Sequence, residues 1–258
     1  MKSFDYKKSL GQNFLIDKNI INKISDSINA EENDLIIEIG PGSGALTQEL
    51  VKKNSNLVCF EIDQRLKEKL SQFESDKTSI VFIDFLKVNL KDYIDNIKHK
   101  DLYFVGNLPY YITSTIINKI VAESNPKEII VMVQKEVGER FMAKPKTKQY
   151  NSLSVFLQYN FEITKVCNVG KNCFEPVPKV DSVVVKLSKH DIHKVKDENK
   201  FYKLVKDSFK QKRKTIKNNL YNYDLNIVES ILKKHNKTLT TRAEELTIEE
   251  FVEIANSL

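Results

Sequence analysis

A short apolar run that ends in a glycine-rich turn decides the fold: Leu35-Ile36-Ile37-Glu38-Ile39-Gly40-Pro41-Gly42-Ser43-Gly44. The apolar run predicts a buried strand, and the glycines precede Ala45-Leu46-Thr47, where a helix can begin. Glycine adopts backbone angles that other residues avoid, so such a turn lets a cofactor approach backbone N–H groups. The pattern fits a nicotinamide dinucleotide as well as S-adenosylmethionine, and this stretch alone does not separate the two.

From residue 35 onward, short β-branched runs alternate with segments of helical period. This alternation is typical of βα units around a mostly parallel sheet, so the fold class is α/β and Rossmann-like. Two later runs predict an added hairpin, because Pro176 and Pro178 interrupt any continuous strand. The predicted strands are Leu35–Ile39, Leu57–Ile62, Ile80–Asp84, Leu102–Val105, Glu128–Gln134, Phe161–Val169 and Asp181–Leu187.

The last part of the chain predicts a small helical domain. Phe201, Leu204, Val205 and Phe209 repeat at helical period without strand-like alternation. A polar stretch from Ser188 to Lys200 precedes them and is interpreted as a linker. We therefore expect a first domain over residues 1–188 and, over residues 189–258, the linker with the small C-terminal helical domain.

Composition limits the classes of protein. The chain has 258 residues, 41% of them apolar, and a formal net charge of +6, which suits a globular protein and is compatible with a polyanionic partner. Cys59, Cys167 and Cys173 are odd in number and lack metal-ligand spacing, so we expect neither disulfides nor a metal site. Residues 1–5 carry no apolar leader, and no run approaches a membrane span. We expect a cytoplasmic protein with no membrane partner.

Two carboxylates follow predicted strands on the edge where the glycine turn lies. Glu61 comes 21 residues after Gly40, where an acid can accept hydrogen bonds from both ribose hydroxyls of either cofactor. The alternative is an ordinary exposed acid at a strand end. Asp84, beside Phe85, can accept the amine of a stacked adenine, and its alternative is an Asp that caps the next helix. We favour the cofactor role for both.

The tetrapeptide Asn107-Leu108-Pro109-Tyr110 follows the apolar run Leu102–Val105. A neutral carboxamide oxygen and a carbonyl beside proline can accept the hydrogens of an exocyclic amine while an aromatic ring stacks on the base. A dehydrogenase would bring a proton-transfer group here instead. The motif therefore favours S-adenosylmethionine and methyl transfer to a base amine, although the same four residues could form a simple turn.

Two further features fit a nucleic-acid substrate. Phe174 opens a proline-stiffened loop that can present one aromatic ring at a fixed angle, although a phenylalanine is more often a core residue. Residues 201–217 contain six Lys and one Arg against only Asp207. The run Lys210-Gln211-Lys212-Arg213-Lys214, hereafter the basic run, is either a solvated helix face or a site of phosphate contact. With methylation of a base indicated, we favour phosphate contact for Lys212, Arg213 and Lys214.

Taken together, the chain resembles the bacterial KsgA-type ribosomal RNA adenine dimethyltransferases over nearly its whole length. The resemblance is carried by an ordered set of motifs: Lys8–Leu15, Glu38–Thr47, Asn107–Tyr110, Phe174–Ser182, Phe209–Thr215 and Arg242–Leu246. It implies a Rossmann-like methyltransferase domain and transfer of methyl groups from S-adenosylmethionine to N6 of two adjacent adenines near the 3′ end of small-subunit rRNA. The implied partner is a pre-ribosomal particle, and we expect the chain to act as a monomer without a metal.

The resemblance also implies residue roles. Tyr110 and Phe174 would stack on the target base, and Asn107 to Tyr110 would bind its amine. The implied cofactor contacts are Asn13, Leu15, Gly40, Glu61, Asp84 and Asn107. Two positions depart from the family pattern: Ile83 stands where many members have Gly, and Tyr111 stands where many have Asn.

Three other functions stay open at this stage. The nearest is the related large-subunit rRNA adenine methyltransferase of the macrolide-resistance type, which the segment from Phe209 to Leu246 disfavours. The second is a catalytically silent RNA-binding assembly factor that retains the fold. The third is a nicotinamide dehydrogenase.

Overall fold

The computed structural model describes residues 12–258; residues 1–5 and the Lys8–Gly11 part of the first motif lie outside them. The strands are β1 (Phe14–Leu15), β2 (Leu35–Ile39), β3 (Asn56–Glu61), β4 (Thr78–Phe82), β5 (Leu102–Asn107), β6 (Glu128–Gln134), β7 (Phe161–Val169), β8 (Phe174–Glu175) and β9 (Ser182–Lys189). The α-helices are α1 (Lys18–Asp26), α2 (Thr47–Leu50), α3 (Lys67–Leu70), α4 (Leu90–Asp95), α5 (Thr113–Glu123), α6 (Lys135–Phe141), α7 (Ser152–Asn160), α8 (Glu198–Ser208), α9 (Ile216–Asn219), α10 (Leu225–Lys234) and α11 (Ile248–Ser257).

Seven strands form one sheet in the order β4-β3-β2-β5-β6-β9-β7. The pairs β2–β3, β2–β5, β3–β4 and β5–β6 are parallel, whereas β9 runs antiparallel to β6. The α/β class with a mostly parallel sheet is thereby confirmed. The strand order reverses at β2, and in open α/β sheets this arrangement opens a crevice beyond the carboxyl ends of the strands.

Most strand predictions agree with the structure. The predicted bounds of β2, β6 and β7 match the observed ones. The strand predicted at Ile80–Asp84 begins and ends two residues earlier, because its parallel register pairs Leu57 of β3 with Thr78. The last predicted strand, β9, lies beside β7 as expected, but it also pairs with β6 and so belongs to the main sheet.

The centre of the sheet is buried on both faces, which explains why its strands read as continuous apolar runs. All five residues of β2 are buried. At the edge, β5 continues to Asn107, and Gly106 makes the close approach to β2 possible. A Cβ atom at Gly106 would lie 2.5 Å from the carbonyl oxygen of Ile39. The absence of a side chain therefore brings Asn107 next to the glycine turn.

The helical tail has a core of its own. Helix α8 buries Phe201, Leu204 and Val205, as the helical period predicted. Helices α10 and α11 add Val228, Ile231 and Phe251 to the same apolar cluster, and α7 adds Val155 and Tyr159. The predicted linker is shorter than expected, because β9 extends to Lys189 and Asp197 already caps α8.

The chain divides into two compact units. One contains the described residues up to Gly138 together with Thr164–Ser188, and the other contains Glu139–Ile163 together with Lys189–Leu258. The first unit ends at Ser188, the last residue of the predicted first domain. Residues 139–163, which the sequence analysis placed in the first domain, belong instead to the helical unit because Tyr150, Val155 and Tyr159 are buried in its core. Within the described residues, no helix has the length and apolar character needed to cross a bilayer.

Candidate active site

One pocket lies at the carboxyl ends of β2 to β5, where the strand order reverses. It is partly open, and its empty space, open solvent included, is about 860 Å³. The predicted site residues that line it are Asn13, Gly40, Glu61, Asp84, Asn107, Leu108, Pro109 and Tyr110. Leu15 instead lines a smaller cavity of about 410 Å³, which shares Gly40 and Asn107 with the first.

The glycine turn forms the floor of the pocket. Gly40, Gly42 and Gly44 all have positive φ angles, of 71°, 56° and 82°, so the predicted turn is confirmed. Its N–H groups, however, already donate within the chain: those of Gly40 and Gly44 to the carbonyls of Phe60 and Pro41, and that of Gly42 to Glu61. Nothing lies within 4 Å of a Cβ built on Gly40. These glycines therefore supply space for a ligand and no free N–H donors.

Glu61 is held rigidly at the end of β3. One carboxylate oxygen accepts the backbone N–H of Gly42 at 3.0 Å, and the other accepts that of Asp63 at 2.9 Å. The side chain is 5% exposed, and this burial raises the pKa of Glu61 although the backbone hydrogen bonds oppose the shift. Each carboxylate oxygen can accept a second hydrogen bond, so Glu61 is oriented to receive two hydroxyls from the pocket.

A polar network closes the pocket beside Glu61. Asp63 accepts bonds from the Arg65 guanidinium, the shortest at 2.6 Å, and from the Gln12 amide at 2.7 Å. The hydrogen bonds from Arg65 are the main reason that the pKa of Asp63 is lowered. Next to Gln12, the Phe14 ring lies 3.0 Å from a Cβ built on Gly42. The segment that precedes α1 thus covers one side of the turn.

Asp84 performs the capping role that was its alternative interpretation, and it also lines the pocket. Its Oδ1 accepts the backbone N–H of Leu86 at 3.0 Å and caps a short 3-10 turn. Ile83, which is 38% exposed, and the buried Phe85 flank it on the pocket wall. Apolar surface beside a carboxylate suits a flat ring that carries an amine.

Glu38 lies beneath the turn and is 1% exposed. Its carboxylate accepts the hydroxyl of Thr47 at 2.7 Å and the thiol of Cys59 at 3.3 Å. Burial raises the pKa of Glu38 to about 7, and the nearby Glu61 charge adds to the shift. Because Glu38 lies under the glycine turn, a change in the protonation state of its carboxyl acts on that turn.

Asn107 is oriented by one hydrogen bond. Its side-chain Nδ2 donates to the carbonyl oxygen of Asn13 at 2.8 Å. Since the donor end of the carboxamide is occupied, Oδ1 is the end left to accept a hydrogen bond in the pocket. The alternative interpretation, that residues 107–110 form a simple turn, does not require the hydrogen bond from Asn107 to Asn13.

The carbonyl oxygens of Leu108 and Pro109 differ in whether they already accept hydrogen bonds. The Pro109 carbonyl already accepts the N–H of Ile112 at 3.2 Å and the hydroxyl of Thr113 at 3.1 Å. The N–H of Leu108 donates to the Met132 carbonyl at 3.2 Å, whereas no backbone hydrogen bond of the described residues uses the Leu108 carbonyl. The carbonyl predicted to bind an amine is therefore unoccupied, and the neighbouring carbonyl is not.

Tyr110 is fixed at its hydroxyl end. Its Oη lies 2.8 Å from Oγ of Ser182, a fully buried residue at the start of β9. Burial raises the pKa of Tyr110, so the phenol stays neutral. The bond restrains the ring, which lines the pocket next to Asn107. Tyr111, at the second departure from the family pattern, is 66% exposed on the pocket rim.

Phe174 was predicted to stack on the target base. This prediction is corrected, because the structure does not bring Phe174 to the pocket. Phe174 is 1% exposed and pairs with Leu15 in the short antiparallel ladder of β1 and β8. Its ring belongs to the apolar core cluster that includes Leu15, Ile20 and Val169. No face of the ring is open to a base, so the core interpretation of Phe174 applies.

The basic run of the helical unit is a turn and not a helix face. It connects α8 to α9, and Lys212, Arg213 and Lys214 are exposed. The Nζ of Lys212 donates to the Lys148 carbonyl at 2.7 Å, which places the run beside a second lysine-containing loop. The three side chains thus form part of a broader cationic surface.

Several pocket residues had no role in the sequence analysis. Gln12 and Phe14 line the pocket, whereas Asp63 and Ser182 lie behind it and are bonded to Gln12 and Tyr110. These contacts join residues far apart in the chain, which no local pattern reveals. Gln12 and Phe14 lie within the first family motif, and Ser182 ends another, so only the resemblance pointed to these segments. Ile83 and Tyr111 were noted as departures and prove to be pocket-lining residues.

The fold and the pocket define a class of protein. The strand order around β2 is that of a nucleotide-binding α/β sheet, but β9 is antiparallel, unlike the all-parallel dinucleotide-binding sheet. Among the described residues, the pocket lining contains an unoccupied amide oxygen and carbonyl, no His, Lys or Cys, and a tyrosine, Tyr110, whose hydroxyl is bonded to Ser182. These are the features of a Rossmann-like methyltransferase.

Comparison with known proteins specifies the family. The chain belongs to the ribosomal RNA adenine dimethylase family, whose model matches residues 3–258. It is 43% identical to the ribosomal RNA small subunit methyltransferase A of Bacillus cytotoxicus, over 99% of this chain and 92% of the relative. The protein of that name from Staphylococcus carnosus is 44% identical, over 99% of this chain and 90% of the relative.

Two solved structures resemble both units. A dimethyladenosine transferase from Plasmodium falciparum superimposes with a TM-score of 0.77 at 25% identity, covering 93% of this chain and 95% of that one. The 23S rRNA methyltransferase ErmE superimposes with a TM-score of 0.75 at 25% identity, covering 95% of this chain and 99% of that one.

Proposed function

We propose that the chain transfers methyl groups from S-adenosylmethionine to N6 of two adjacent adenines near the 3′ end of small-subunit rRNA, within a pre-ribosomal particle in the cytoplasm. The observation that carries this proposal is the pair of unoccupied acceptors, Oδ1 of Asn107 and the Leu108 carbonyl, in the pocket that Glu61 and Asp84 also line. We further propose that the chain acts as a monomer, which sedimentation of the purified protein would test.

The pocket residues fit the proposed cofactor. Glu61 can receive the two ribose hydroxyls, because both of its oxygens are fixed and each retains an acceptor position. Asp84, between Ile83 and Phe85, can accept an adenine amine beside apolar surface. Gly40 leaves room for the chain of the cofactor, and Asn13 and Leu15 border the same space. When bound, S-adenosylmethionine supplies a methyl group on a sulfonium, whose leaving group is already activated.

The protein must then position the amine and direct its lone pair. The amine of adenine is a poor nucleophile because its lone pair is delocalised into the ring. Acceptance of the N6 hydrogens by Asn107 Oδ1 and by the Leu108 carbonyl turns that lone pair toward the methyl group. Pro109 restricts the backbone that aims the carbonyl. Positioning of the reactants dominates, and no strong base is needed before attack.

The base itself must leave its stack to enter the pocket. Tyr110 offers a restrained ring on which it can stack, a contact of about 1–3 kcal/mol per base. The hydroxyl bond to Ser182 fixes the angle of that ring before the base arrives. The exposed Tyr111 lies on the rim that the base passes. We propose that Lys212, Arg213 and Lys214 contact phosphates of the same rRNA.

The choice of ribosomal subunit rests on similarity in sequence. Relatives named as small-subunit methyltransferases are 43–44% identical, whereas the 23S rRNA methyltransferase ErmE is 25% identical, with a TM-score of 0.75. Both substrates therefore belong in the test.

The test is transfer of a radiolabelled methyl group to isolated ribosomal subunits. Immature small subunits that lack the modification and unmodified large subunits are each incubated with the protein and labelled S-adenosylmethionine, and the modified base is mapped. The proposal predicts label on two adjacent adenines near the 3′ end of small-subunit rRNA. Label in large-subunit rRNA would support the ErmE-like function. Particle binding without transfer would support a silent assembly factor.

A further inference from the structure

A second concave surface lies beside the pocket in the same unit and has no role in the account so far. It lies at the carboxyl end of β6, between the start of α6 and the loops that precede β8 and β9, and its empty space, open solvent included, is about 680 Å³. Three exposed lysines, Lys135, Lys171 and Lys179, line it together with Glu136 and Asp181. We call these three residues the lysine pocket.

The three lysines outnumber the two carboxylates that line the same surface, Glu136 and Asp181. Asp181 uses Oδ1 to accept the backbone N–H of Lys171 at 3.0 Å. Glu136 is engaged in another interaction of the chain. Within residues 12–258, by contrast, none of the three lysine ammonium groups forms an ion pair or a hydrogen bond. Three free cations around a concave surface provide a site for an anion.

The sheet places this surface next to the proposed base site. Asn107 of β5 pairs with Met132 of β6, and Gln134 of β6 pairs with Ser182 of β9. Neighbouring strands are about 4.8 Å apart, so the lysine pocket begins one to two strands away from Asn107. Ser182, whose hydroxyl is bonded to Tyr110, directly follows Asp181 in the chain. An anion held by these lysines would therefore lie close to the proposed base site.

We propose that the lysine pocket binds a backbone phosphate of the RNA next to the flipped adenine, an inference that rests on the proposed function. The phosphodiester is the anion that every nucleotide beside the base carries. Lysines contact it as point charges, without regard to sequence. Such contacts fix the strand on either side of the base, so the adenine enters the pocket with its amine toward Asn107.

The test compares two triple variants with equal change of charge. In the first, Lys135, Lys171 and Lys179 are replaced by Gln. In the control, Lys98→Gln, Lys100→Gln and Lys127→Gln remove three exposed lysines at the amino ends of β5 and β6, on the opposite edge of the sheet. Binding to immature small subunits and to a single-stranded RNA with the target sequence is measured over a series of salt concentrations.

The proposal predicts that the first variant loses affinity and that its slope of log K against log salt falls by about 0.7 unit, the contribution of one phosphate contact on a single strand. The control variant should retain the wild-type slope, and all three proteins should bind S-adenosylmethionine equally. RNA with neutral methylphosphonate linkages beside the target adenine should bind the wild type and the first variant alike. Equal losses in both triple variants, or none in the first, would overturn the proposal.

Failure of this inference and failure of the proposed function give different results. A wild-type protein that labels no small-subunit rRNA refutes the function, whatever the variants do. Normal wild-type labelling with an unchanged salt slope in the first variant refutes only the role of the lysine pocket. Because RNA binding is measured without methyl transfer, it decides the role of the lysines in either case.

Discussion

Replacement of Glu38 by Gln should change how the stability of the first unit depends on pH. The folded-state pKa of Glu38 is about 7, against an ordinary value of 4.5. Between these two values the folded chain keeps a proton that the unfolded chain releases, so stability falls as pH rises through this window. The difference of about 2.5 pKa units corresponds to about 3 kcal/mol. Below the window the carboxyl is protonated in both states and has no effect.

Glutamine keeps an acceptor for Thr47 and Cys59 but cannot ionise. Relative to the wild type, the Glu38→Gln variant should therefore gain about 3 kcal/mol between about pH 4.5 and about pH 8. Because the chain has two units, global unfolding is not a suitable measure. Hydrogen exchange of the amides in β2, corrected for intrinsic rates, reports the free energy of opening in the first unit. An equal pH dependence in both proteins would show that Glu38 is ionised without cost and would refute the assignment.

Three further changes test the remaining parts of the site. Glu61→Ala should weaken S-adenosylmethionine binding by about 1.5–3 kcal/mol, the range for hydrogen bonds to a charged group, with RNA binding nearly unchanged; calorimetry that finds the same affinity would contradict the ribose assignment. Tyr110→Phe and Ser182→Ala should each lower kcat. The double variant should lose no more than the larger single loss, because both substitutions remove the same hydrogen bond. Additive losses would show that this bond does not position the Tyr110 ring. Neutralising Lys212, Arg213 and Lys214 together should lower the salt slope of particle binding by up to about three units while cofactor affinity stays the same. An unchanged slope in a normally folded variant would mean that the basic run is only solvated.

The parts of the fold that follow from local pattern were predictable. Strands β2 and β6 are mostly β-branched and apolar, and β7 mixes β-branched with polar residues. The glycine turn needs positive φ angles, which glycine adopts easily. The carboxyl ends of parallel strands meet at one edge, so Glu61, Asp84 and Asn107 could be placed together without a structure.

The parts that depend on distant contacts were not predictable from local sequence. The core position of Phe174 results from pairing with Leu15, which lies at the other end of the unit in sequence. The orientation of Asn107 depends on the Asn13 carbonyl, and the restraint on Tyr110 depends on Ser182. Residues 139–163 have ordinary helix and loop patterns, and only the burial of their aromatic residues beside Phe201 assigns them to the helical unit.

The central claim is that Asn107 presents an acceptor to the N6 amine of an adenine in small-subunit rRNA. Its most direct test is single-turnover methyl transfer by the wild type and Asn107→Ala to immature small subunits, with the modified base mapped and the hydrogen exchange of β2 as a control for folding. The account predicts two labelled adenines near the 3′ end for the wild type and a loss of about 10² or more in rate for the variant. Transfer by a folded Asn107→Ala protein within a few-fold of the wild-type rate would contradict it.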